Sequence, residues 1–214
     1  MSDAGEPASV ATVAAWVREQ MRAHDRFAHV YDASEQHRLG HGHACSVYPT
    51  GSGPLIGALA AATHPKRLLE VGTGLGYSAL WLAVGAGADA RVETVEQDAG
   101  HGELARQQIV REGYDRRITV LQGSATDVLP RLEPGYGFIF WDGDPDQSLG
   151  ALDEFLRLLA PGGTLVTSNL FLAQYAPDIP GLDQAAEYRH KILNQASLRT
   201  AFLPSGLALS VRAT

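Results

Sequence analysis

From residue 67 onward, short apolar runs alternate with longer stretches in which apolar positions recur every three or four residues. The runs fall at 67–71, 91–96, 117–121, 137–142 and 163–168, and the helical stretches at about 76–84, 99–112, 125–132 and 148–160. Strands alternating with helices predict a doubly wound parallel sheet with helices on both faces. The end of the chain breaks this rhythm. A helical stretch at about 183–195 leads to two β-rich segments, Leu198–Leu203 and Leu207–Val211. The Pro204-Ser205-Gly206 turn between them predicts an antiparallel hairpin that closes one edge of a seven-stranded, mostly parallel sheet. Upstream, Val10, Val13, Ala14, Val17 and Met21 predict a helix over about 9–24 that packs against the domain. Residues 1–8 read as frayed, 32–54 as a loop rich in Gly, His, Ser and Pro, and Leu55–Ala62 as a helix feeding the first strand. The expectation is one domain over 1–214, with 1–44 as an N-terminal helix and loop and 45–214 as the core.

In such sheets ligands sit at the carboxyl ends of the strands, and four of these ends carry polar chemistry. The first is Glu70-Val71-Gly72-Thr73-Gly74-Leu75-Gly76-Tyr77-Ser78, an apolar strand ending in an acid, then three alternate glycines, then a helix start. Alternate glycines permit a tight turn and close approach of a ligand to backbone, and a side chain at Gly74 is expected to crowd one or the other. A dinucleotide fingerprint needs its third glycine at the sixth place, which is Tyr77 here, so a nicotinamide-dependent oxidoreductase is the weaker reading. The second end is Thr94-Val95-Glu96-Gln97-Asp98. Glu96 lies 20 residues after Gly76, where an acid can accept hydrogen bonds from ribose hydroxyls; a solvated surface acid is the plainer alternative. The third, Gly123-Ser124-Ala125-Thr126, offers small residues that could border an adenine or form ordinary loop. The fourth, Phe138 to Asp144, places Asp142 at the end of a central strand, either as a functional carboxylate or as a turn residue.

Charge and composition narrow the partners. Seventeen basic against 24 acidic residues give a net charge of −7, and no basic run marks a nucleic-acid footprint. Cys45 is the single cysteine, so no internal disulfide can form. The N-terminal segment lacks a signal-peptide pattern, and no apolar stretch reaches the ~20 residues that span a bilayer, which predicts a cytoplasmic protein without a membrane partner. His37, His41 and His43 sit in the expected loop, where solvated side chains are the plain reading and a metal site or a base the sharper ones. Trp141 could shape a pocket wall.

Taken in order, LLEVGTGLGYSALWLA, VETVEQD, GSATDVLPRL, FIFWDGD, LAPGGTLVTSN and RTAFLPSGLALSVR resemble the cation-dependent O-methyltransferases, the group that includes the catechol and caffeoyl-CoA enzymes and small bacterial members. The resemblance covers about 45–212. It implies a Rossmann-like fold, S-adenosylmethionine as cofactor, a small, possibly phenolic, hydroxyl acceptor, and a homodimer as a frequent assembly. It further implies that Glu70, Gly72, Tyr77 and Ser78, with Thr73, Gly74 and Gly76 of the same turn, hold the methionine part. Glu96 and Gln97 would hold the ribose, and Ser124 and Ala125 the adenine. Asp142 would lie near the sulfonium as the catalytic residue and as a ligand, with Asn169, to Mg or Mn. Two departures stand out: relatives have Asp-Asn where this chain has Ser168-Asn169, and many have a lysine where this chain has Pro145. Loss of one carboxylate predicts a weakened cation site, and keeps open a protein that binds the cofactor without catalysis.

Overall fold

The computed structural model describes residues 10–42, 45, 47–143, 145–171 and 182–214. Seven strands form one sheet in the order β3-β2-β1-β4-β5-β7-β6. They are β1 (Arg67–Val71), β2 (Arg91–Glu96), β3 (Ile118–Gln122), β4 (Tyr136–Trp141), β5 (Leu159–Thr167), β6 (Leu198–Phe202) and β7 (Ala208–Arg212). The first five run parallel, and β7 pairs antiparallel with both β5 and β6. The β6–β7 connection turns at Gly206, φ +86°, as the Pro-Ser-Gly signal predicts. Strand order reverses between β1 and β4, which opens a crevice at their carboxyl ends.

The central strands read as unbroken apolar runs because both faces are covered. Phe138 and Phe140 pack on one face with Leu68, Ile56 and Leu80, while Ile139 and Trp141 pack on the other with Leu69, Val71 and Phe155. The helices are α1 (Val10–Ala23), α2 (Ala28–His41), α3 (Gly53–Thr63), α4 (Tyr77–Ala86), α5 (Ala99–Arg111), α6 (Ala125–Val128), α7 (Pro145–Leu158) and α8 (Leu182–Asn194). Helix α3 lies directly on α4: a Cβ at Gly85 would sit 2.0 Å from the Gly57 carbonyl oxygen. None of the described helices is long and apolar enough to cross a membrane.

Four expectations need correction. The first part of the expected loop over 32–54 is helix, since α2 runs to His41, and α3 already begins at Gly53. Only Val30 and Ser34 on α2 are fully buried, so its apolar periodicity is faint, and its support is local: the Ser34 hydroxyl donates to the Val30 carbonyl, and Arg38 donates to Glu35 one turn away. Two positions of the stripe on α1 do not pack as expected, Val13 and Val17 being 51 and 39% exposed, with Trp16 beside them at 60%, while Met21 is half-buried beside Tyr77. The expected 125–132 helix is a short α6 followed by a 3-10 turn at Leu129–Arg131. Strand β5 begins at Leu159, ahead of the Pro161-Gly162-Gly163 step, because Leu159 already pairs with Tyr136 before a register shift. The expected fraying of 1–8 falls outside the described residues, as do His43, Asp144 and residues 172–181.

Candidate active site

Register brings the strand-end chemistry together. Val71 pairs with Val95 on one side and Trp141 on the other. The residues that follow them, Gly72, Glu96 and Asp142, therefore stand in one row, a glycine between two carboxylates. Gly72 has φ +97°, and a Cβ there would meet the Asp142 carbonyl oxygen at 2.6 Å. At Gly74 a Cβ would meet only Val47 Cγ1 of the protein, at 3.5 Å, so within the turn its constraint is its left-handed φ of +53°. Gly76 caps α4 with φ +92°.

The row opens into a cleft at the strand ends. Gly72, Thr73, Gly74, Tyr77 and Ser78 form one wall, with Glu96 and Gln97, Ala125 and Asp142 around it. Glu96 is 7% exposed and accepts the Gly74 N–H and the Asp98 N–H, each at 2.9 Å. Burial raises its pKa, and those two backbone donors pull it back. A carboxylate offers about four acceptor positions, so capacity for ligand hydroxyls remains.

Glu70 is not on the cleft surface. It is fully buried behind the turn, where Thr73 and Thr94 hydroxyls meet at 2.6 Å and Thr94 donates to Glu70 Oε2, also at 2.6 Å. Its Oε1 has no hydrogen-bond partner. Burial pushes the Glu70 pKa up to about 8, against the Ser78 and Thr94 hydroxyls, and the Asp142 and Glu96 charges add to the rise. Of those two hydroxyls, only Thr94 makes a bond of ordinary geometry. Asp142 is likewise raised, to about 7, by burial, opposed by Ser168 and Asn169. The Ser168 hydroxyl donates to Asp142 Oδ1, and Asn169 Nδ2 lies 3.3 Å from the same oxygen.

Other predicted residues resolve differently. Tyr77 reaches the cleft, but its hydroxyl donates to Asp25 Oδ2 at 2.6 Å. Ser124 does not line the cleft; it is the N-cap of α6, accepting the Asp127 N–H at 3.2 Å. Trp141 is 0% exposed and packs on Phe155 in the core, so it walls no pocket. Among the wall residues that sequence reasoning did not assign to the site are Ser34, Val47 to Thr50 and His101. The usable signal for His101 was its place three residues after Asp98, whose carboxylate accepts the His101 N–H at 2.8 Å as an N-cap.

A model described as a methyltransferase domain matches residues 69–169. A Mycobacterium sp. (strain JLS) protein assigned to the O-methyltransferases is 34% identical over 167 residues, 75% of this chain and 76% of the relative. The chain belongs to the O-methyltransferases. The catechol O-methyltransferase of Mycobacterium tuberculosis (strain ATCC 25618 / H37Rv) is 37% identical over 119 residues. That match spans 55% of this chain and about half, 54%, of the relative. The crystal structure of cofactor-bound Rv0187 from MTB superposes with a TM-score of 0.77 at 26% identity, covering 97% of this chain and 99% of that one.

The cleft suits the family cofactor. The left-handed glycine turn leaves backbone open to a ligand, and Glu96 keeps free acceptor positions beside it. The Asp142 neighbourhood suits a tight hard cation poorly. Among the described residues it offers the Asp142 carboxylate, one oxygen of which already takes the Ser168 hydroxyl, and the Asn169 amide nitrogen faces that same oxygen.

Proposed function

We propose that the cleft binds S-adenosylmethionine and that the protein transfers the methyl group to a hydroxyl of a small phenolic acceptor. The observation that carries this is the row Glu96, Gly72, Asp142 at the point where strand order reverses. Glu96 would take the ribose hydroxyls, the Gly72 to Ser78 turn the methionine part, and Ala125 the adenine edge. S-adenosylmethionine supplies an electrophilic methyl on a sulfonium. The chain's own task is to align the acceptor, exclude water and take up a proton.

Alignment alone contributes up to ~7–11 kcal/mol in well-oriented reactions. A phenol ionises near pKa 10, so exposing its anion at neutral pH costs roughly 4 kcal/mol. Asp142, with a pKa about 7 and a place in the cleft, is matched to accept that proton as the bond to the methyl forms. No step is assigned to Mg or Mn, because the donor set around Asp142 is poor in carboxylate; a weak divalent site at Asp142 and Asn169 is the reading kept. We place the protein in the cytoplasm, with no nucleic-acid or membrane partner. A homodimer is proposed on the uncovered Val13, Trp16 and Val17 of α1, to be checked by light scattering on the purified chain.

The test is formation of S-adenosylhomocysteine with a panel of catechols and monophenols. Turnover with a phenol, lost in Asp142→Asn while S-adenosylhomocysteine still binds, supports the assignment. The Ser168 hydroxyl held against Asp142 favours one second reading, a cofactor-binding protein without catalysis. Tight cofactor binding with no turnover on any acceptor would select it. Binding of NAD but not S-adenosylhomocysteine would overturn both.

A further inference from the structure

Away from Asp142, a second group of side chains with ligand chemistry converges. His37 comes from α2, Cys45 from the segment after it, and His101 from the first turn of α5. One donor atom from each lies within 4.8 Å of the others. Cys45 Sγ is 3.9 Å from His101 Nε2, and the His37 and His101 rings stand nearly perpendicular, 5.1 Å apart. Cys45 is 4% exposed, and Leu75 and Leu104 share its apolar cluster. The other ring nitrogen of His101, Nδ1, lies 3.8 Å from Asp98 Oδ1. That is ion-pair range, beyond hydrogen-bond distance, and it puts a carboxylate on the side of the ring away from Cys45, where it could orient a metal-binding histidine.

We propose that His37, Cys45 and His101 bind a zinc ion, with water completing the tetrahedron. Two imidazoles and a thiolate suit zinc and not magnesium. Bond lengths of about 2.0–2.1 Å to nitrogen and 2.3 Å to sulfur place tetrahedral donor atoms roughly 3.3–3.6 Å apart. The 3.9 Å Cys45–His101 separation is already close to that, and a pair at the 4.8 Å limit must close by roughly 1.2–1.5 Å. The ion would join three pieces of chain with a common neighbour. His101 lines the cofactor cleft, the residues after Cys45 from Val47 to Thr50 wall it, and His37 lies one turn from Ser34, which lines it too. Zinc here would fix the outer wall of the cleft, separately from chemistry at Asp142.

Cobalt(II) titration of the chelator-stripped full chain tests this. Because Cys45 is the only cysteine, a thiolate-to-cobalt charge-transfer band reports this site alone. The expectation is a band that saturates at one equivalent, is displaced by zinc, and persists unchanged in Asp142→Asn. His37→Ala and His101→Ala should each weaken cobalt binding tenfold or more, with unchanged circular dichroism confirming that the variants are folded. Absence of the band in wild type overturns the proposal. So does cobalt binding in folded His37→Ala and His101→Ala as tight as in wild type.

Discussion

Glu70→Gln separates a buried proton from the hydrogen bonds around it. In the native chain the carboxyl titrates at about 8 in place of its ordinary 4.5. Between those values the folded state holds a proton that the unfolded state has released. Stability contributed by the group is therefore fully present below pH 4.5 and is lost as pH rises through 8, by about 1.4 kcal/mol per unit where only the folded form is protonated. From pH 6 to pH 8 the loss works out at about 2 kcal/mol, because the folded group itself begins to ionise near the upper end. For a chain of this size that is a fall of roughly 4–8 °C in Tm. Glutamine keeps an oxygen for the Thr94 hydroxyl and carries no proton to lose. Asp142 and Glu96 also titrate upward of their ordinary values, so the diagnostic quantity is a double difference: wild type minus Glu70→Gln, at pH 8 minus pH 6, in the cofactor-free protein. Thermal melts in matched buffers should show the variant gaining on wild type as pH rises. A Tm difference that is the same at pH 6 and pH 8 would show that Glu70 is ionised in the folded protein throughout, and the reasoning from burial would be wrong.

Glu96→Ala should weaken S-adenosylhomocysteine binding by about 1.5–3 kcal/mol, the range for hydrogen bonds to a charged group; calorimetry on the folded variant that finds equal affinity removes Glu96 from the ribose site. Ser168→Asp should raise affinity for magnesium or manganese by setting a second carboxylate beside Asp142, and a metal titration with cofactor present that finds tight binding in wild type, or no gain in the variant, refutes the weakened-site argument. Gly85→Ala should destabilise by about 1–3 kcal/mol or more, since the new methyl meets the Gly57 carbonyl and no flexible side chain can yield; denaturant unfolding checks it, and an unchanged midpoint would mean that α3 and α4 can separate freely.

The sheet was legible because its central strands are buried on both faces. Phe138 to Trp141 is apolar at every position, as is the longer run Ala79 to Val84 of α4, and what marks the strand is its aromatic content and its short length between turn residues. The hairpin was legible for a different reason, a turn that demands positive φ at Gly206. Helix α2 was hidden because it buries only Val30 and Ser34 and otherwise presents histidines and charges, which in isolation look like loop. Ser124 shows the opposite error: a hydroxyl after a strand looks like ligand chemistry, yet its oxygen is used to start α6. Of the His37, Cys45 and His101 cluster, the sequence marked only His37 as a possible ligand, and paired it with His41 and His43 instead. Two of its members are separated from the third by more than fifty positions, and only the docking of α2 beside α5 brings them together.

The row at the strand ends explains why the glycine turn and the acids occur together. Parallel strands in register end at the same level, so an acid at the end of β2 and another just after β4 must flank whatever follows β1. Any side chain there would project into the Asp142 carbonyl at 2.6 Å. That carbonyl cannot easily withdraw, because the Asp142 N–H is bonded to Val71 O at 2.8 Å, and Asn169 Nδ2 lies 3.3 Å from the carbonyl of the next residue, Gly143. Glycine at 72 is thus required by the sheet itself before any ligand is considered. The notch it leaves lies between two carboxylates whose pKa values are raised by burial, with the buried Glu70 behind. Three acids so placed repel one another when ionised. The Asp142 and Glu96 charges both raise the pKa of Glu70, and a positively charged ligand in the notch would favour the ionised form of each acid, which a neutral ligand would not.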